Sequence, residues 1–300
     1  MKKIFVIIVT YKGKRWYDKC FQSLRESSIP VQIVVVDNTQ GEEDAEYIRT
    51  NHPDIHLIKT NENLGFGRAN NLGMTYAREQ DCDYVFLLNQ DTWIEPDAIE
   101  KLVVIAEKHP EYGIISPMHL SPDYKQLNFH IGIGSDYRNH QLLSDLYCNT
   151  LGEIYDSNLI PAAAWLLPRH TLDTIGGFSP IIFHCGEDDD YCRRVMYHGL
   201  KIGLCPSSRI LHDLSVRLEH SDEYGAKAVK DGLDLMLDYR VIPSLASFRR
   251  YLFRKRIQSW LQGNKALYDR FTHRYNILCQ NYKRLQECRE ANKIEQPNWL

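Results

Sequence analysis

The chain of 300 residues lacks the features that mark several protein classes. Its eight cysteines include no CxxC pair, which argues against a zinc knuckle and against a disulfide framework. Strictly apolar runs such as residues 4–9 fall far short of the roughly 20 residues that a membrane-spanning helix requires. No small-residue cleavage site of a secretory signal follows Lys2 and Lys3. We therefore expect a cytoplasmic globular protein with buried or idle thiols.

Charge is nearly balanced, at a net −3, but it is unevenly distributed. Residues 221–300 hold 15 Lys/Arg against 9 Asp/Glu, so the rest of the chain is net acidic. Within residues 245–284, ten basic side chains accompany a single acid, Asp269. This asymmetry predicts two parts with different partners, which we place at residues 1–217 and 218–300. We expect neither part to bind nucleic acid.

The first part alternates between strand-like and helix-like patterns. Apolar β-branched runs at residues 3–10 and 31–37 flank an amphipathic segment at residues 15–25. Continuous apolar strands of this kind are typical of an open, mainly parallel sheet with helices on both faces. The alternation continues with predicted elements at residues 55–59, 67–79, 84–89 and 96–108.

The pattern changes beyond this region. Residues 113–167 show only short and mixed patterns, which predict hairpins and a variable loop. A helix beginning near Glu187 is predicted to end at Gly199, a suitable left-handed cap, with short strands at residues 201–211 after it. After Arg217 the pattern predicts a C-terminal helical extension.

Polar residues follow three of the predicted strands, at Thr10-Tyr11, Asp37-Asn38 and Asn89-Gln90-Asp91. Ligands of open α/β sheets bind beyond the carboxyl ends of the strands, so these groups are expected to converge on one crevice. The Asp37 carboxylate is suited to a nucleobase or ribose hydroxyl, and Asp91 to a hard divalent cation. Each is also an ordinary residue for a turn or a helix cap.

Residues 61–73 place small residues and amides where a loop enters a helix, which suits close approach to a phosphate or ribose. The Gly65-x-Gly67 spacing is not a dinucleotide fingerprint. Asn70 occupies the place of the third glycine, and the loop follows the third strand instead of the first. We therefore discount an NAD enzyme.

Residues 186–190 read Gly-Glu-Asp-Asp-Asp and place four acids at a probable helix start. The helix dipole favours one or two such acids as caps. Four adjacent carboxylates repel each other, which raises and couples their pKa values and suits one of them to general-base work. His212 ends a later predicted strand, where a lone histidine is more often structural than a ligand.

Together these motifs resemble the nucleotide-sugar glycosyltransferase family 2, in particular its bacterial rhamnosyltransferase-like branch. No single motif is specific, but their order and spacing are. The segments that carry the resemblance are Val9-Thr-Tyr11, Val34-Val-Val-Asp-Asn38, Asn61-x-Asn-Leu-Gly-Phe-Gly67 with Asn71 and Gly73, Leu88-Asn-Gln-Asp-Thr92, Ala162-Ala-Ala-Trp-Leu-Leu167, and Ile175-Gly-Gly-Phe178 followed by Gly186-Glu-Asp188.

The resemblance implies the GT-A fold and an inverting enzyme that uses a Mg²⁺ or Mn²⁺ ion. It implies transfer of a sugar, with rhamnose one candidate, from a nucleotide-diphosphate donor to a hydroxyl of a glycan or lipid-linked acceptor in cell-surface polysaccharide synthesis. Residue by residue, the implied nucleotide contacts are Thr10, Tyr11, Asp37, Asn38, Arg68 and Asn71. The implied metal-site residues are Asp91, Asn89 and His212, and the implied catalytic residues are the base Asp188 and its companion Glu187.

Three departures from the family pattern leave the donor open: Lys12 for Asn, Gln90 for Pro, and Ala162-Ala163 where glycines are commoner. One alternative is a catalytically silent relative that binds a nucleotide sugar or a polysaccharide. A nucleotidyltransferase would require a glycine-rich, arginine-containing loop after the first strand, for which residues 12–15 are too short.

The basic residues of 245–284 alternate with aromatic side chains, among them Phe248, Tyr251, Phe253, Trp260, Tyr268, Phe271 and Tyr275. This pattern predicts peripheral contact with the inner face of a membrane, since each Lys or Arg near an anionic surface contributes about 1 kcal/mol. The alternative is a helix that packs its aromatic residues on the catalytic part and leaves its charges in water.

Overall fold

The structure is a computed structural model that describes residues 2–127, 140–213 and 231–300. The boundary predicted between residues 217 and 218 lies outside the described residues. All eight cysteines are free thiols, of which Cys148 and Cys279 are exposed.

The described residues form one sheet of nine strands. The strands are β1 Ile4–Thr10, β2 Gln32–Asp37, β3 His56–Lys59, β4 Tyr84–Leu88, β5 Thr92–Ile94, β6 Tyr112–Leu120, β7 Tyr155–Ser157, β8 Ala164–Pro168 and β9 Lys201–His212. Their order in the sheet is β3-β2-β1-β4-β8-β6-β9-β5, with β7 paired to β9. Strands β1, β2, β3, β4, β6 and β9 run in one direction, whereas β8, β5 and β7 oppose them. The predicted mainly parallel sheet is thus confirmed.

Ten helices accompany this sheet in the described residues. The helices are α1 Lys14–Arg25, α2 Glu43–Asn51, α3 Phe66–Glu79, α4 Ala98–Lys108, α5 His140–Cys148, α6 Arg169–Thr174, α7 Glu187–Tyr197, α8 Leu233–Leu237, α9 Leu245–Leu261 and α10 Lys265–Asn292. Helix α1 differs by one residue from the prediction. Helix α7 begins at Glu187 as expected, with Gly199 just beyond its end at φ +79°.

The central strand β1 shows why helices cover both faces. All of its residues except the partly buried Val9 are buried, and alternate side chains enter different cores because successive residues of a strand point to opposite faces. Ile4, Val6 and Ile8 pack in a cluster with α1 and α4, whereas Phe5 and Ile7 pack in a cluster with α3 and α7. The prediction of helices on both faces is confirmed.

Three local expectations were incomplete or wrong. Helix α2 was not predicted, because its only buried apolar residues are Ala45 and Ile48 and its helical periodicity is weak. Helix α5 lies where only hairpins and a loop were expected. The short strands expected at 201–211 are one strand, β9, whose register against β6 shifts between Cys205 and Arg209 and so accommodates the intervening poor strand formers.

The C-terminal helices pack on the catalytic part. Leu278, Leu285 and Cys288 of α10 share an apolar cluster with Ile181 and Ile182, which precede α7. The final residues return to the sheet domain as well, where the carbonyl of Asn298 accepts a 2.7 Å hydrogen bond from the Gly177 N–H. In the described parts of the chain, no helix combines the length and apolarity needed to cross a membrane.

Candidate active site

The carboxyl edge of the parallel strands gathers most of the predicted site residues. Thr10 and Asp37 are register neighbours at the ends of β1 and β2. Asn89 and Asp91 follow β4, and His212 ends β9. Helix α7 runs back from this edge to the start of β9, so its first turn, which carries Asp188, lies at the same edge of the sheet.

Asp91 and His212 form the closest pair of candidate metal ligands. The Asp91 Oδ1 and His212 Nε2 atoms lie 3.3 Å apart, and both side chains are buried. Antiparallel pairing of Thr92 with His212 fixes this spacing, together with a 2.9 Å bond from the Asp213 N–H to the Asp91 carbonyl. One oxygen and one nitrogen at this separation suit two neighbouring ligands of a cation at about 2.0–2.2 Å each.

No group of three or more His, Cys, Asp or Glu residues is arranged to hold a metal within the described ranges. That is the arrangement expected where one or two protein ligands are completed by substrate phosphate and water. Asn89 lies buried beside Asp91, and its carbonyl accepts the Thr92 N–H at 3.2 Å, which shapes the turn that carries Asp91. The residues present therefore fit a cation that arrives with a phosphorylated ligand.

His119 was not anticipated from the sequence. It lies fully buried on β6 with its ring 6.3 Å from the ring of His212, and its Nε2 is 3.2 Å from the Ser116 hydroxyl. Burial and the neighbouring His212 hold the pKa of His119 well below its usual value, so the ring is neutral. No local sequence signal separates this histidine from the others.

Asp37 is fully buried and has a counterion that the sequence reading missed. Its Oδ2 lies 3.2 Å from the Lys59 ammonium, and its Oδ1 accepts the Thr39 N–H at 3.0 Å. Lys59 ends β3 directly opposite Asp37 in the parallel register. The sequence therefore contained a signal for this ion pair, because Lys59 ends the predicted strand that follows Asp37.

Asn38 and Asn71 make internal hydrogen bonds. The Asn38 amide oxygen accepts the Leu64 N–H at 2.8 Å, and its nitrogen donates to Asn63 at 2.9 Å. The Asn71 amide forms a pair of bonds with the backbone of Phe178, at 2.7 and 2.9 Å. Both residues thus hold the loops that border the crevice.

Tyr11 and Arg68 lie nearer the solvent. Tyr11 is 43% exposed, and its backbone is clasped by the Gln90 side chain, which accepts the Tyr11 N–H at 2.9 Å and donates to its carbonyl at 3.1 Å. A proline at position 90 has no such side chain, so this departure from the family pattern has a structural role. The Arg68 Nε donates to the Leu64 carbonyl at 2.7 Å.

The two glycines of the Gly65-x-Gly67 segment permit close packing of the chain on itself. A Cβ at Gly65, whose φ is +80°, would lie 1.9 Å from the Phe183 carbonyl oxygen, and one at Gly67 would lie 2.8 Å from the Phe178 Cβ. The expected space for a phosphate at these two positions is thus filled by residues 178–183. This contact brings the loop after β3 against the segment that leads into α7.

The four acids of α7 have separate environments. Asp188 is partly buried, and burial together with the neighbouring Glu187 and Asp189 raises its pKa to about 7. Asp189 lies 3.4 Å from Arg193, and Asp190 lies 3.1 Å from Arg194. Of the four, Asp188 therefore combines partial exposure with a pKa suited to taking up a proton near neutrality, whereas Asp189 and Asp190 each face an arginine.

Glu187 lies buried beside Asp188, with one carboxylate oxygen 3.6 Å from the His184 Nδ1. Hydrogen bonds to Cys185 and Glu187 raise the pKa of His184 to about 10, so this ring is cationic at neutral pH. The cationic His184 ring is therefore the counterion of Glu187 beside the acidic turn. His184 had not been singled out, because nothing in its local sequence distinguishes it.

Comparison with known proteins agrees with this arrangement. Residues 5–149 match the family model described as glycosyl transferase family 2. This part of the chain is thus similar to glycosyltransferase family 2. The match confirms the resemblance inferred from the motifs and, with the relatives below, the expectation of an enzyme.

Two relatives of the chain are named for the sugar that they transfer. A dTDP-rhamnosyl transferase of Shigella flexneri is 22% identical over 269 residues, which cover 83% of this chain and 85% of the relative. An N-acetylglucosaminyl-diphospho-decaprenol L-rhamnosyltransferase of Mycobacterium tuberculosis is 24% identical over 239 residues, covering 69% and 75%. Both lie in the rhamnosyltransferase-like branch that the motifs had indicated.

Among solved structures, GalNAc-T7 with UDP, GalNAc and Mn²⁺ superposes with a TM-score of 0.60 at 15% identity. The match covers all of this chain but just over half of that one, at 56%. The expected GT-A type fold is therefore confirmed, together with the additional C-terminal helices.

Asp190 is predicted to be essential for folding and unsuitable as an inert control for Asp188. Asp190→Ala would leave the Arg194 guanidinium buried without its carboxylate, which typically costs about 3–5 kcal/mol. We expect a corresponding fall in the free energy of unfolding, measured in urea. Asp269→Ala, which breaks the exposed pair with Lys265, serves as the control and should unfold like the wild type. Equal unfolding of the Asp190 and Asp269 variants would contradict this role.

Proposed function

We propose that the chain transfers a rhamnosyl or related hexosyl group from a nucleotide-diphosphate donor to a hydroxyl of a glycan or lipid-linked acceptor. Transfer inverts the anomeric configuration, depends on Mg²⁺ or Mn²⁺, and serves cell-surface polysaccharide synthesis. The observation that carries this proposal is the Asp91–His212 pair at 3.3 Å, on the sheet edge that also presents Asp188. A cation site and a proton acceptor are the two elements that such a transfer requires.

Asp188 accepts the proton of the attacking hydroxyl. As that oxygen bonds to the anomeric carbon, the bond from this carbon to the donor diphosphate breaks on the opposite face, and the nucleotide diphosphate leaves with the electron pair. A cation held by Asp91 and His212 would supply positive charge against the leaving diphosphate. No acid is then needed for the leaving group, so one base is sufficient.

Thr10, Tyr11 and Asp37 are proposed to form the nucleoside end of the site, with Tyr11 as the exposed contact and with Thr10 and Asp37 buried at the ends of β1 and β2. Tyr11 offers an exposed ring, and Arg68 lies on the first turn of α3 near the same edge. The relative from Shigella flexneri is named for a dTDP sugar, which supports a pyrimidine donor, dTDP or UDP. Asn38 and Asn71 hold the surrounding loops and thereby act as positioning residues.

Loss of Asp91 is predicted to abolish metal-dependent donor binding. Hydrolysis and calorimetric binding of dTDP-, UDP- and GDP-sugars are measured with and without Mn²⁺. The wild type should favour a dTDP- or UDP-linked donor and respond to Mn²⁺, whereas Asp91→Ala should do neither. Asp97→Ala removes a carboxylate that pairs with Lys101 on α4, and should behave like the wild type. An Asp91 variant with unchanged Mn²⁺ response would refute the metal-site assignment, and a preference for GDP would refute the donor assignment.

Asp188→Asn is predicted to lower kcat by about 10²–10⁴ while nucleotide affinity is retained, because it removes the proton acceptor and preserves the shape. Only the carboxylate form of Asp188 is a base, so wild-type kcat/KM should rise with pH and level off above about 7. The matched control is Asp189→Asn, one residue further along the same turn, whose rate should stay near the wild type. A near-normal rate for Asp188→Asn would place the base elsewhere.

Helix α9 is proposed to mediate peripheral contact with the inner face of a membrane. Phe253, Ile257, Trp260 and Leu261 are all exposed, with Trp260 and Leu261 at 67% and 72%. Their spacing of four, three and one residues places them on one side of the helix. Other aromatic residues of the extension are used internally, as where Arg256 lies 4.8 Å from the centre of the Tyr275 ring.

Vesicle binding should therefore depend on this exposed stripe. The wild type should co-sediment with phosphatidylglycerol vesicles at low salt and be released at high salt, because the attraction is electrostatic. Trp260→Ser combined with Leu261→Ser should reduce the retained fraction strongly. Tyr147→Ser removes another exposed aromatic residue, 90% exposed on α5, and should not. Failure of the wild type to bind at low salt would exclude the membrane contact.

A further inference from the structure

Lys12 has an unusual backbone conformation just beyond the carboxyl end of β1. Its φ is +50°, in the left-handed region that residues other than glycine, asparagine and aspartate seldom adopt. Asparagine, which the family pattern has at this position, tolerates that conformation better than lysine does. The chain therefore carries a lysine here at a conformational cost. Strain of this kind persists only where the surrounding structure imposes it, and it is common at functional sites.

Two hydroxyl groups hold the loop after β1 from one side. The Lys12 N–H donates to the Thr39 hydroxyl at 3.1 Å. The Gly13 N–H donates to the Tyr17 hydroxyl at 3.2 Å. Both hydroxyls in turn donate to the Asp44 carboxylate, at 3.2 and 2.8 Å. All three of these side chains are buried, so the backbone of the loop rests on a fixed hydrogen-bond network.

Gln90 holds the same loop from the other side. Its side chain bonds both backbone groups of Tyr11, and a Cβ at Gly13 would lie 2.0 Å from the Gln90 Oε1 atom. Residues 11–13 are therefore wrapped around the Gln90 side chain. Because Gln90 directly precedes Asp91, this wrapping places Lys12 beside the turn that carries the candidate cation ligand.

The Lys12 side chain is exposed, and its ammonium lies 5.4 Å from the centre of the Tyr11 ring. The loop that carries Lys12 thus contacts both ends of the proposed donor site, Tyr11 at the nucleoside end and the turn of Asp91 at the metal end. In a nucleotide sugar the diphosphate links the nucleoside to the sugar. A positive charge on this loop is therefore placed to meet the anionic part of the donor, and a lysine ammonium is a common ligand of phosphate.

We propose that Lys12 binds the diphosphate of the nucleotide-sugar donor and supplies part of its affinity without the metal. This assignment rests on the proposed function for the identity of the donor and adds a contact residue to its site. A cation–π contact at an exposed position is weaker than a charge-assisted hydrogen bond to phosphate. The ammonium therefore exchanges the Tyr11 ring for the diphosphate when the donor enters.

Calorimetric binding to the full chain is measured in EDTA, with dTDP, UDP and GDP and with thymidine, uridine and guanosine. The wild type should bind its preferred nucleoside diphosphate more tightly than the matching nucleoside even without metal. Lys12→Asn removes the cation and suits the left-handed backbone. It should weaken nucleoside diphosphate binding by about tenfold to a hundredfold, the range for a hydrogen bond to a charged group. Nucleoside binding should be unchanged.

Two further variants distinguish this contact from general electrostatic attraction. Lys14→Asn removes another exposed lysine of the same segment, which lies 4.6 Å from the centre of the Tyr47 ring, and should leave nucleoside diphosphate binding unchanged. Lys12→Arg restores a cation and should recover most of the affinity. The proposal is overturned by equal losses in Lys12→Asn and Lys14→Asn. It is equally overturned by a wild type that binds nucleoside and nucleoside diphosphate alike in EDTA.

A purely structural role for Lys12 predicts a different result for Lys12→Asn. Loss of the contact with the Tyr11 ring would then lower the thermal unfolding midpoint and the nucleoside affinity together. We expect instead that Lys12→Asn unfolds at or above the wild-type midpoint, because asparagine relieves the strain at φ +50°. A lower midpoint with a parallel loss of nucleoside affinity would show that the lysine supports the loop and does not bind the anion.

Donor hydrolysis with Mn²⁺ is measured on the same protein preparations, so that the two proposals can fail separately. Normal nucleotide-sugar hydrolysis and normal metal-free binding by Lys12→Asn would overturn the anion contact alone. Lysine-dependent binding of a nucleoside diphosphate without any nucleotide-sugar hydrolysis would overturn the proposed transferase function and leave the anion contact. With both intact, Lys12→Asn should raise the donor KM more than it lowers kcat.

Discussion

The buried ion pair between Asp190 and Arg194 connects the acidic turn of α7 to the rest of the protein. Arg194 donates to the carbonyls of Ile175 and Gly177 at 3.0 and 2.7 Å, and so fixes the turn that precedes the acidic segment. Asp190 also accepts the Ser179 hydroxyl, which in turn accepts a bond from Asn292 of α10. One salt bridge therefore sets the relative positions of the acidic turn, the glycine turn and the C-terminal extension, at the desolvation cost that any buried pair carries.

This anchoring explains how one acid among four differs chemically from the others. Asp190 is neutralised inside the protein, and Asp189 is held by Arg193, which keeps negative charge away from the solvent side of the turn. Asp188 has no comparable cation in direct contact among the described interactions, and burial, together with the neighbouring Glu187 and Asp189, raises its pKa. The enzyme thus obtains a carboxylate of raised proton affinity from burial and from its sequence neighbours, each of which is directed to a different partner by the rotation of about 100° per residue along a helix.

The sequence was most informative where a single physical rule dominated. Strands β1 and β2 were predictable because burial on both faces demands continuous apolar residues, and the strand-end positions of Thr10, Asp37 and Asp91 followed from that. Contacts between distant segments were not predictable in the same way. The Gln90 clasp on Tyr11 and the burial of His119 behind His212 depend on which strands become neighbours in the folded sheet. The pairing of Lys59 with Asp37 could be inferred only once the strand register was known. Residue type alone could not show whether Asn38 and Asn71 bind a ligand or support the neighbouring loops.

The pairing of β5 with β9 has a consequence for how the protein acquires its site during folding. Thr92 and His212 are register partners although roughly 120 residues separate them along the chain. Closing so long a loop costs entropy before the contact is gained, and non-local pairings of this kind slow folding. A nascent chain can assemble β1, β2, β3 and β4 from local βαβ units, but the Asp91–His212 pair forms only when β9 has been synthesised and has docked at the sheet edge. The strand ends that carry Thr10 and Asp37 therefore take shape earlier in biosynthesis than the Asp91–His212 pair, and a chain interrupted before β9 would retain much of the sheet without the complete proposed site.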